Sequence, residues 1–211
     1  MNLEEYKKKF EHIEGAAPGM DAIDQAFEKL YPGKELKYFN AEGDEPLDGV
    51  GLYFVKVKRD TFYHLISYGF SSLFYDEDSV GEEYSKLGFE LTFRLKPYSL
   101  DDGEPLWAVN LMQSIASYVF NNNKRLNISE YIPTNGPIRQ KCDTAIAGLI
   151  FIKDPSLGTI DTPHGKIDFL QMFGITGAEL EDLKSEAISP EELLAELSPN
   201  NPLLITDLDR K

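Results

Sequence analysis

Residues 88–95, which read GFELTFRL, alternate apolar and polar side chains with a strict period of two. The apolar face comprises Phe89, Leu91, Phe93 and Leu95, and the polar face comprises Glu90, Thr92 and Arg94. This period matches a β-strand and not a helix, so the segment predicts a sheet packed on a core. We interpret the polar face as structural, with cross-strand pairs or a satisfied polar layer under a helix. Partner binding is the second interpretation of this face and catalysis the third.

Other segments predict further strands of the sheet. Residues 49–57 and 62–70 flank the polar turn KRDT and predict a hairpin. Both faces of 62–70 carry apolar side chains, which predicts a central strand covered on two sides. Residues 144–152 predict another buried strand, and a hairpin follows with Pro163-His164 at its turn and Gly165 after it.

Helical periodicity marks the remaining elements. The predicted helices cover residues 3–14, 18–33 and 105–121, and the last has Trp107, Leu111, Ile115, Tyr118 and Val119 on one side. Two capping boxes, Thr176 with Glu179 and Ser189 with Glu192, predict two more helices near the C-terminus. The last dozen residues are interpreted as a short strand or a loose tail. The pattern favours one α+β domain with a C-terminal helical appendage.

Charge and composition limit the classes of partner. The 211 residues carry 36 Asp and Glu against 21 Lys and Arg, a net charge of −15, which disfavours nucleic acid and favours basic partners. The longest apolar run, residues 145–152, is too short to cross a bilayer. The charged N-terminus lacks a secretory pattern, and Cys142 is the one cysteine, so we expect a cytoplasmic protein without disulfides.

Side chains suited to catalysis are scattered along the sequence. The common motifs of hydrolases, nucleotide-binding proteins and zinc enzymes are missing. His12, His64 and His164 fall on different predicted elements, so no metal site and no cofactor is expected. His64 is interpreted as a packed histidine and His164 as an exposed turn residue. An uncharacterised hydrolase using His64 or Cys142 remains an alternative.

Residues 76–81, DEDSVG, have a few features of a calcium loop. Val80 occupies a ligand position, however, and Leu87 stands where a bidentate carboxylate is required. A solvated acidic loop is therefore the preferred interpretation.

Several segments together resemble the suppressor-of-fused domain family over about residues 17–180. They read PGMDAIDQAFEKLYPG, FYHLISYGFSSLFYDED, GFELTFRL, LMQSIASYVF and KDPSLGTIDTPHGKIDFLQMFGIT. The resemblance implies an α+β fold with a mixed, mainly antiparallel sheet flanked by helices and no catalysis. It divides the chain into an N-terminal helix at 1–16, the family domain at 17–180 and a helical extension at 181–211. The loop NISEYIPTNGPI lacks a Gly-Asp/His pair that is usual in the family.

The resemblance also implies a binding site for another protein. Animal members hold a peptide that adds as a strand between two lobes, the mode known as β-augmentation. Their peptide-contacting positions fall on Tyr118, Leu126 and Glu130 here. The sequence has no counterpart of the second lobe, so another wall is expected, either the C-terminal helices or a second subunit. The oligomeric state stays open.

Two functions follow from this resemblance. Bacterial one-lobe relatives resemble immunity proteins, which implies that this chain neutralises a polymorphic toxin whose basic cleft it fills. The acidic segment DEDSVGEE is a candidate contact for such a basic toxin domain. The alternative is an intracellular scaffold or regulator that captures an extended peptide.

Overall fold

A computed structural model describes residues 1–57, 60–98 and 103–211 of the chain. The helices are α1 (Leu3–Phe10), α2 (Pro18–Leu30), α3 (Leu106–Asn121), α4 (Gly177–Lys184) and α5 (Pro190–Leu197). The strands are β1 (Leu36–Asn40), β2 (Gly49–Lys56), β3 (Thr61–Tyr68), β4 (Tyr84–Leu95), β5 (Tyr131–Pro133), β6 (Ile146–Lys153), β7 (Thr159–Thr162) and β8 (Gly165–Thr176). In the described part of the chain, no helix is long and apolar enough to span a membrane.

The strands form one mixed sheet in the order β1-β2-β3-β4-β8-β6-β5, with β7 paired to β8. The β4–β8 pair is parallel and the other pairs are antiparallel. This confirms the predicted α+β fold with a mainly antiparallel sheet. The predicted hairpin is β2–β3, and Lys58 and Arg59 of its turn lie outside the described residues. As predicted, β3 is central, between β2 and β4.

Helices cover both faces of the sheet. One face carries α3, whose buried Met112, Ile115 and Val119 belong to the same cluster as the apolar side chains of β4. The other face carries α2, which packs through Ile23 and Phe27, together with α4 and α5. Tyr118 of α3 was predicted to share the buried side of the helix, but it is 41% exposed. The side of α3 that packs on the sheet includes Met112 and Ala116, and Tyr118 lies outside this buried stripe.

The two ends of the chain differ in part from the elements predicted for them. α1 ends at Phe10 instead of at 14, so Ile13 is exposed and does not extend the buried stripe of Tyr6 and Phe10. The two predicted capping boxes are confirmed at the starts of α4 and α5. The C-terminal segment is a bridge partner of β4 through Thr206, whose N–H donates to the Arg94 carbonyl (2.8 Å). Of the two interpretations of the tail, the short strand therefore agrees better with the structure than the loose tail does.

Candidate functional site

The three positions implied by the resemblance lie between the end of α3 and the start of β5. Tyr118 occupies the last turn of α3 and is 41% exposed. Glu130 is half-buried and directly precedes β5. Leu126 is 1% exposed and packs into the core beneath α3. The side chain of Leu126 is thus inaccessible to a partner in this conformation and instead anchors the loop that connects the other two.

Hydrogen bonds inside this loop hold Glu130 in place. Its carboxylate pairs with Lys124 and accepts a hydrogen bond from the N–H of Asn127 (3.2 Å). The Lys124 ammonium also lies over the Tyr118 ring, 5.6 Å from its centroid. The Glu130 carboxylate, through its hydrogen bond with Lys124, raises the pKa of that lysine. Tyr118, Lys124 and Glu130 therefore form one connected surface cluster.

β5 is an edge strand, and sequence reasoning missed it. No strand was predicted between α3 and β6, because three residues are too few to show a period of two. Among the described residues, β5 has a neighbouring strand on one side only, β6. The Glu130 carbonyl accepts from the N–H of Phe151 (2.8 Å), and the N–H of Thr134 donates to Ala147 (3.0 Å). Both residues flanking β5 thus direct backbone groups toward β6.

Alternation along the strand then fixes which backbone groups point outward. In an antiparallel ladder, the N–H and C=O groups of one residue point to the same side of the strand, and those of the next residue point to the other side. Since Glu130 and Thr134 bond inward, Ile132 also does so, and Tyr131 and Pro133 face outward. The outer edge therefore offers one N–H and two carbonyl groups to an added strand.

An uncharged groove of about 660 Å³ lies between α3 and β5. Its lining residues are Leu111, Ser114, Ile115, Tyr118, Ile132, Pro133, Thr134, Asn135, Pro137, Ile138, Gln140 and Leu149. None of them carries a formal charge, although the whole chain has a net charge of −15. The groove is therefore suited to uncharged side chains of a bound segment.

The polar face of β4 is fully buried and forms part of the interior. The guanidinium of Arg94 donates two hydrogen bonds to the Asp154 carboxylate, at 2.8 and 3.1 Å, and a third to the Gln171 side chain. The hydroxyl of Thr92 donates to the same carboxylate (2.8 Å). Burial alone would raise the pKa of Asp154, but interactions with His64 and Arg94 hold it well below its usual range. The structural interpretation of this polar face is confirmed, but the layer is not fully satisfied, because among the described residues the buried Nε of Arg94 has no hydrogen-bond partner.

His64 is completely buried beside this ion pair, as its interpretation as a packed histidine requires. Its Nδ1 pairs with the hydroxyl of Tyr31 (2.8 Å), and its Nε2 lies 3.4 Å from the Asp154 carboxylate, too far for a strong hydrogen bond. Cys142 packs on the α3 side of the sheet, whereas His64 packs against Phe27 of α2 on the opposite side. The fold therefore does not bring these two candidate catalytic groups together.

His164 corrects the sequence interpretation, because it is buried and not an exposed turn residue. Its turn joins β7 to β8 as predicted, but α1 and residue Ser72 cover it. Nε2 pairs with the Tyr6 hydroxyl (2.7 Å), and Nδ1 lies 2.9 Å from the Ser72 carbonyl. Within the described ranges, no group of three His, Cys, Asp or Glu side chains is arranged to hold a metal ion.

The neutral state of His64 predicts a pH dependence of stability. Burial first, and then the charge of Arg94, lower the pKa of His64 to about 4, although Asp154 opposes the shift. The unfolded chain therefore binds a proton that the native protein does not, and stability present above about pH 6.5 is lost as the pH falls through 4. Urea unfolding of wild type and His64→Gln at pH 7.5 and 4.5 measures this effect. We expect the wild-type advantage to shrink by on the order of 2–3 kcal/mol; an unchanged advantage would contradict a neutral His64.

Comparisons with known proteins identify relatives across most of the chain. The family model described as suppressor of fused protein (SUFU) matches residues 43–211. The suppressor of fused homologs of Homo sapiens and Mus musculus are each 30% identical over 210 residues, covering 91% of this chain and 43% of theirs. The chain thus spans less than half the length of these curated relatives.

Solved structures give the same picture. The chain superimposes on a structure described as the Sufu–Fu complex with a TM-score of 0.81 and 29% identity, covering 93% of this chain and 92% of that one. Drosophila suppressor of fused gives the same score and identity, with 51% of that chain covered. A homolog from Neisseria gonorrhoeae shares the fold, with a TM-score of 0.61, 14% identity and coverage of 92% and 95%.

Proposed function

The chain belongs to the suppressor of fused family, and on this basis we propose that it is a non-enzymatic protein-binding domain. The observation that carries the proposal is the groove between α3 and the free edge of β5. Two of the three positions implied by the family, Tyr118 and Glu130, lie at the surface beside it. A structure of a relative is described as a complex with another protein, Fu, which supports the same kind of role.

Binding at this site is proposed to occur by strand addition to β5. An extended segment pairs with the outward N–H and carbonyl groups of Tyr131 and the carbonyl of Pro133. Its side chains on one face then enter the uncharged groove beside α3. Backbone hydrogen bonds supply affinity in this mode, and the groove supplies selection among sequences.

A peptide-display experiment tests this site. We expect immobilised protein to enrich extended, strand-forming sequences, and Ser114→Arg to weaken their binding at least tenfold, because it places a long cation in the uncharged groove. Ser114 is exposed, so this substitution leaves the core intact. Gln25→Arg, an equal charge change at an exposed position of α2, is the matched control. Equal affinities of both variants would place the site elsewhere.

The Tyr118–Lys124–Glu130 cluster predicts a second effect on the same peptides. Glu130→Lys removes the partner of Lys124 and places a second cation next to Lys124 and the Tyr118 ring. We expect binding to be abolished, because both the cluster and the start of β5 lose their arrangement. Affinity measured by fluorescence anisotropy, with circular dichroism to verify folding, is the readout. Wild-type affinity in folded Glu130→Lys would remove this residue from the site.

The finer role that we favour is immunity against a toxin, exerted in the cytoplasm. The net charge of −15 supports it, because an acidic surface speeds association with a basic toxin domain. Co-expression with the toxin encoded by a neighbouring gene tests this role. Cells are expected to survive the toxin only when this chain is present. Death of the cells in the presence of this chain would contradict the immunity role. The scaffold role, in which an extended peptide is captured without any toxin, would then be the remaining proposal.

A further inference from the structure

The two sides of β5 differ sharply in charge. On the α3 side, the groove lining is uncharged. On the other side lie α4 and α5, which contact the strand directly: the Tyr131 hydroxyl donates to the Leu183 carbonyl of α4 (3.2 Å). The Ser129 hydroxyl, just before the strand, donates to the Glu191 carboxylate of α5 (2.7 Å). The free edge therefore runs between one neutral wall and one helical wall.

The helical wall is strongly acidic. Residues 177–197 contain seven carboxylates and one lysine. Six of these carboxylates are exposed: Glu181, Asp182, Glu186, Glu191, Glu192 and Glu196. The lysine, Lys184, is paired with Glu181 (2.8 Å). Of the two exposed acids in the first turn of α5, Glu191 has a pKa lowered by its hydrogen bond from Ser129, and Glu192 has one lowered by hydrogen bonds from Ser189.

A strand added to β5 would place its side chains alternately against these two walls. Successive side chains of a strand point to opposite faces, and equivalent ones repeat about every 7 Å. One set meets the uncharged groove, where a charge would be desolvated without a partner. The other set lies on the side of α4 and α5, where the hydrogen bond from Ser129 holds the Glu191 carboxylate beside the strand and a cation is attracted.

We propose, on the basis of the proposed peptide-binding function, that the occupant of the β5 edge is an extended segment in which lysine or arginine alternates with uncharged, mainly apolar residues. The order of these residues matters as much as their number. A segment with the same composition but grouped charges cannot match both walls at once.

Three synthetic eight-residue peptides test the proposal by fluorescence anisotropy at low salt. The first alternates valine with lysine, the second has the same residues with the lysines grouped, and the third alternates valine with glutamine. We expect the first to bind at least tenfold more tightly than either of the others. Its advantage over the glutamine peptide should decrease as salt is added, because exposed charges are screened.

A charge-neutralised variant identifies the wall that is responsible. Asp182→Asn/Glu186→Gln/Glu191→Gln keeps side-chain shape and is expected to reduce binding of the alternating lysine peptide to the level of the glutamine peptide. Glu11→Gln/Glu14→Gln/Asp44→Asn removes the same net charge from exposed positions outside α4 and α5 and is expected to retain most of the advantage.

The possible outcomes separate this inference from the function on which it rests. Equal binding of the lysine and glutamine peptides, or equal losses in the two triple variants, would overturn the alternating-charge proposal and leave edge binding intact. Equal binding of the alternating and grouped lysine peptides would overturn it as well. Binding of none of the peptides, or tight binding that Ser114→Arg does not weaken, would overturn both proposals.

Discussion

Replacing Arg94 by methionine is expected to destabilise the protein by about 3–5 kcal/mol, the range for breaking a buried ion pair. Arg94 and Asp154 are both inaccessible to solvent, and the guanidinium donates to both carboxylate oxygens. Methionine fills much of the same space but leaves the Asp154 carboxylate in the interior without its cation. Urea unfolding at pH 7.5, monitored by the fluorescence of Trp107, measures the loss.

The double variant Arg94→Met/Asp154→Asn separates the charge from the packing. Asparagine retains an oxygen that accepts the hydrogen bonds from the N–H groups of Ser156 and Leu157, so the turn after β6 is preserved. We expect the double variant to be more stable than Arg94→Met alone, because no uncompensated charge remains. Additive losses from the two single substitutions would show that the pair is not coupled.

The same ion pair predicts how the effect of Arg94→Met depends on pH. In the wild type, interactions with His64 and Arg94 keep the pKa of Asp154 well below its usual range, so its stabilising contribution is lost only as the pH falls through that low value. Without the guanidinium, burial is expected to raise the pKa of Asp154. Protonation at mildly acidic pH then removes the unpaired buried charge that destabilises the native state. The loss caused by Arg94→Met should therefore be smaller at pH 4.5 than at pH 7.5.

Local sequence patterns predicted most helices and strands, because the residues that define them are close together in the chain. The period of two in β4 and the capping boxes of α4 and α5 are such patterns. The partners of Arg94 were not predictable in this way. Asp154 and Gln171 lie 60 and 77 residues away and meet Arg94 only because β8 pairs in parallel with β4 and β6 flanks it. The available signal was the position of Asp154, two residues after the predicted buried strand 144–152.

Tertiary packing also determines which of the candidate site residues are buried and which are exposed. A Pro-His turn is ordinarily exposed, but α1 covers His164, and no local pattern indicates where α1 docks. Alignment to the family assigned Tyr118, Leu126 and Glu130 together, whereas Leu126 is buried in the loop after α3 and Tyr118 lies on the exposed side of α3. β5 was not predicted because its three residues are too few to show a period of two, and its side chains do not indicate that it lies at the edge of the sheet. Edge position is a property of the whole sheet.

Replacing Glu90 by leucine is expected to cost about 3–5 kcal/mol, since several buried donors would lose their acceptor. One carboxylate oxygen of Glu90 accepts from the N–H groups of Gly69 (3.1 Å) and Ser71 (2.9 Å) and from the Ser71 hydroxyl (2.6 Å). The other oxygen accepts from the Ser67 hydroxyl. The backbone donors cannot turn toward another partner, so leucine leaves them unsatisfied where the chain leaves β3.

Glu90→Gln is the matched control, and its effect should depend on pH. The glutamine carbonyl still accepts from Gly69 and Ser71, and its amide donates to the Ser67 oxygen, so we expect a loss below about 1 kcal/mol. Burial raises the pKa of Glu90 despite the hydrogen bonds that oppose the shift. The contribution of Glu90 to stability is therefore full below its unfolded pKa and is lost as the pH rises through the folded value. Glu90→Gln should accordingly gain on the wild type between pH 5 and pH 8 in urea unfolding, and a growing deficit would mean that the charged carboxylate is the favoured native form.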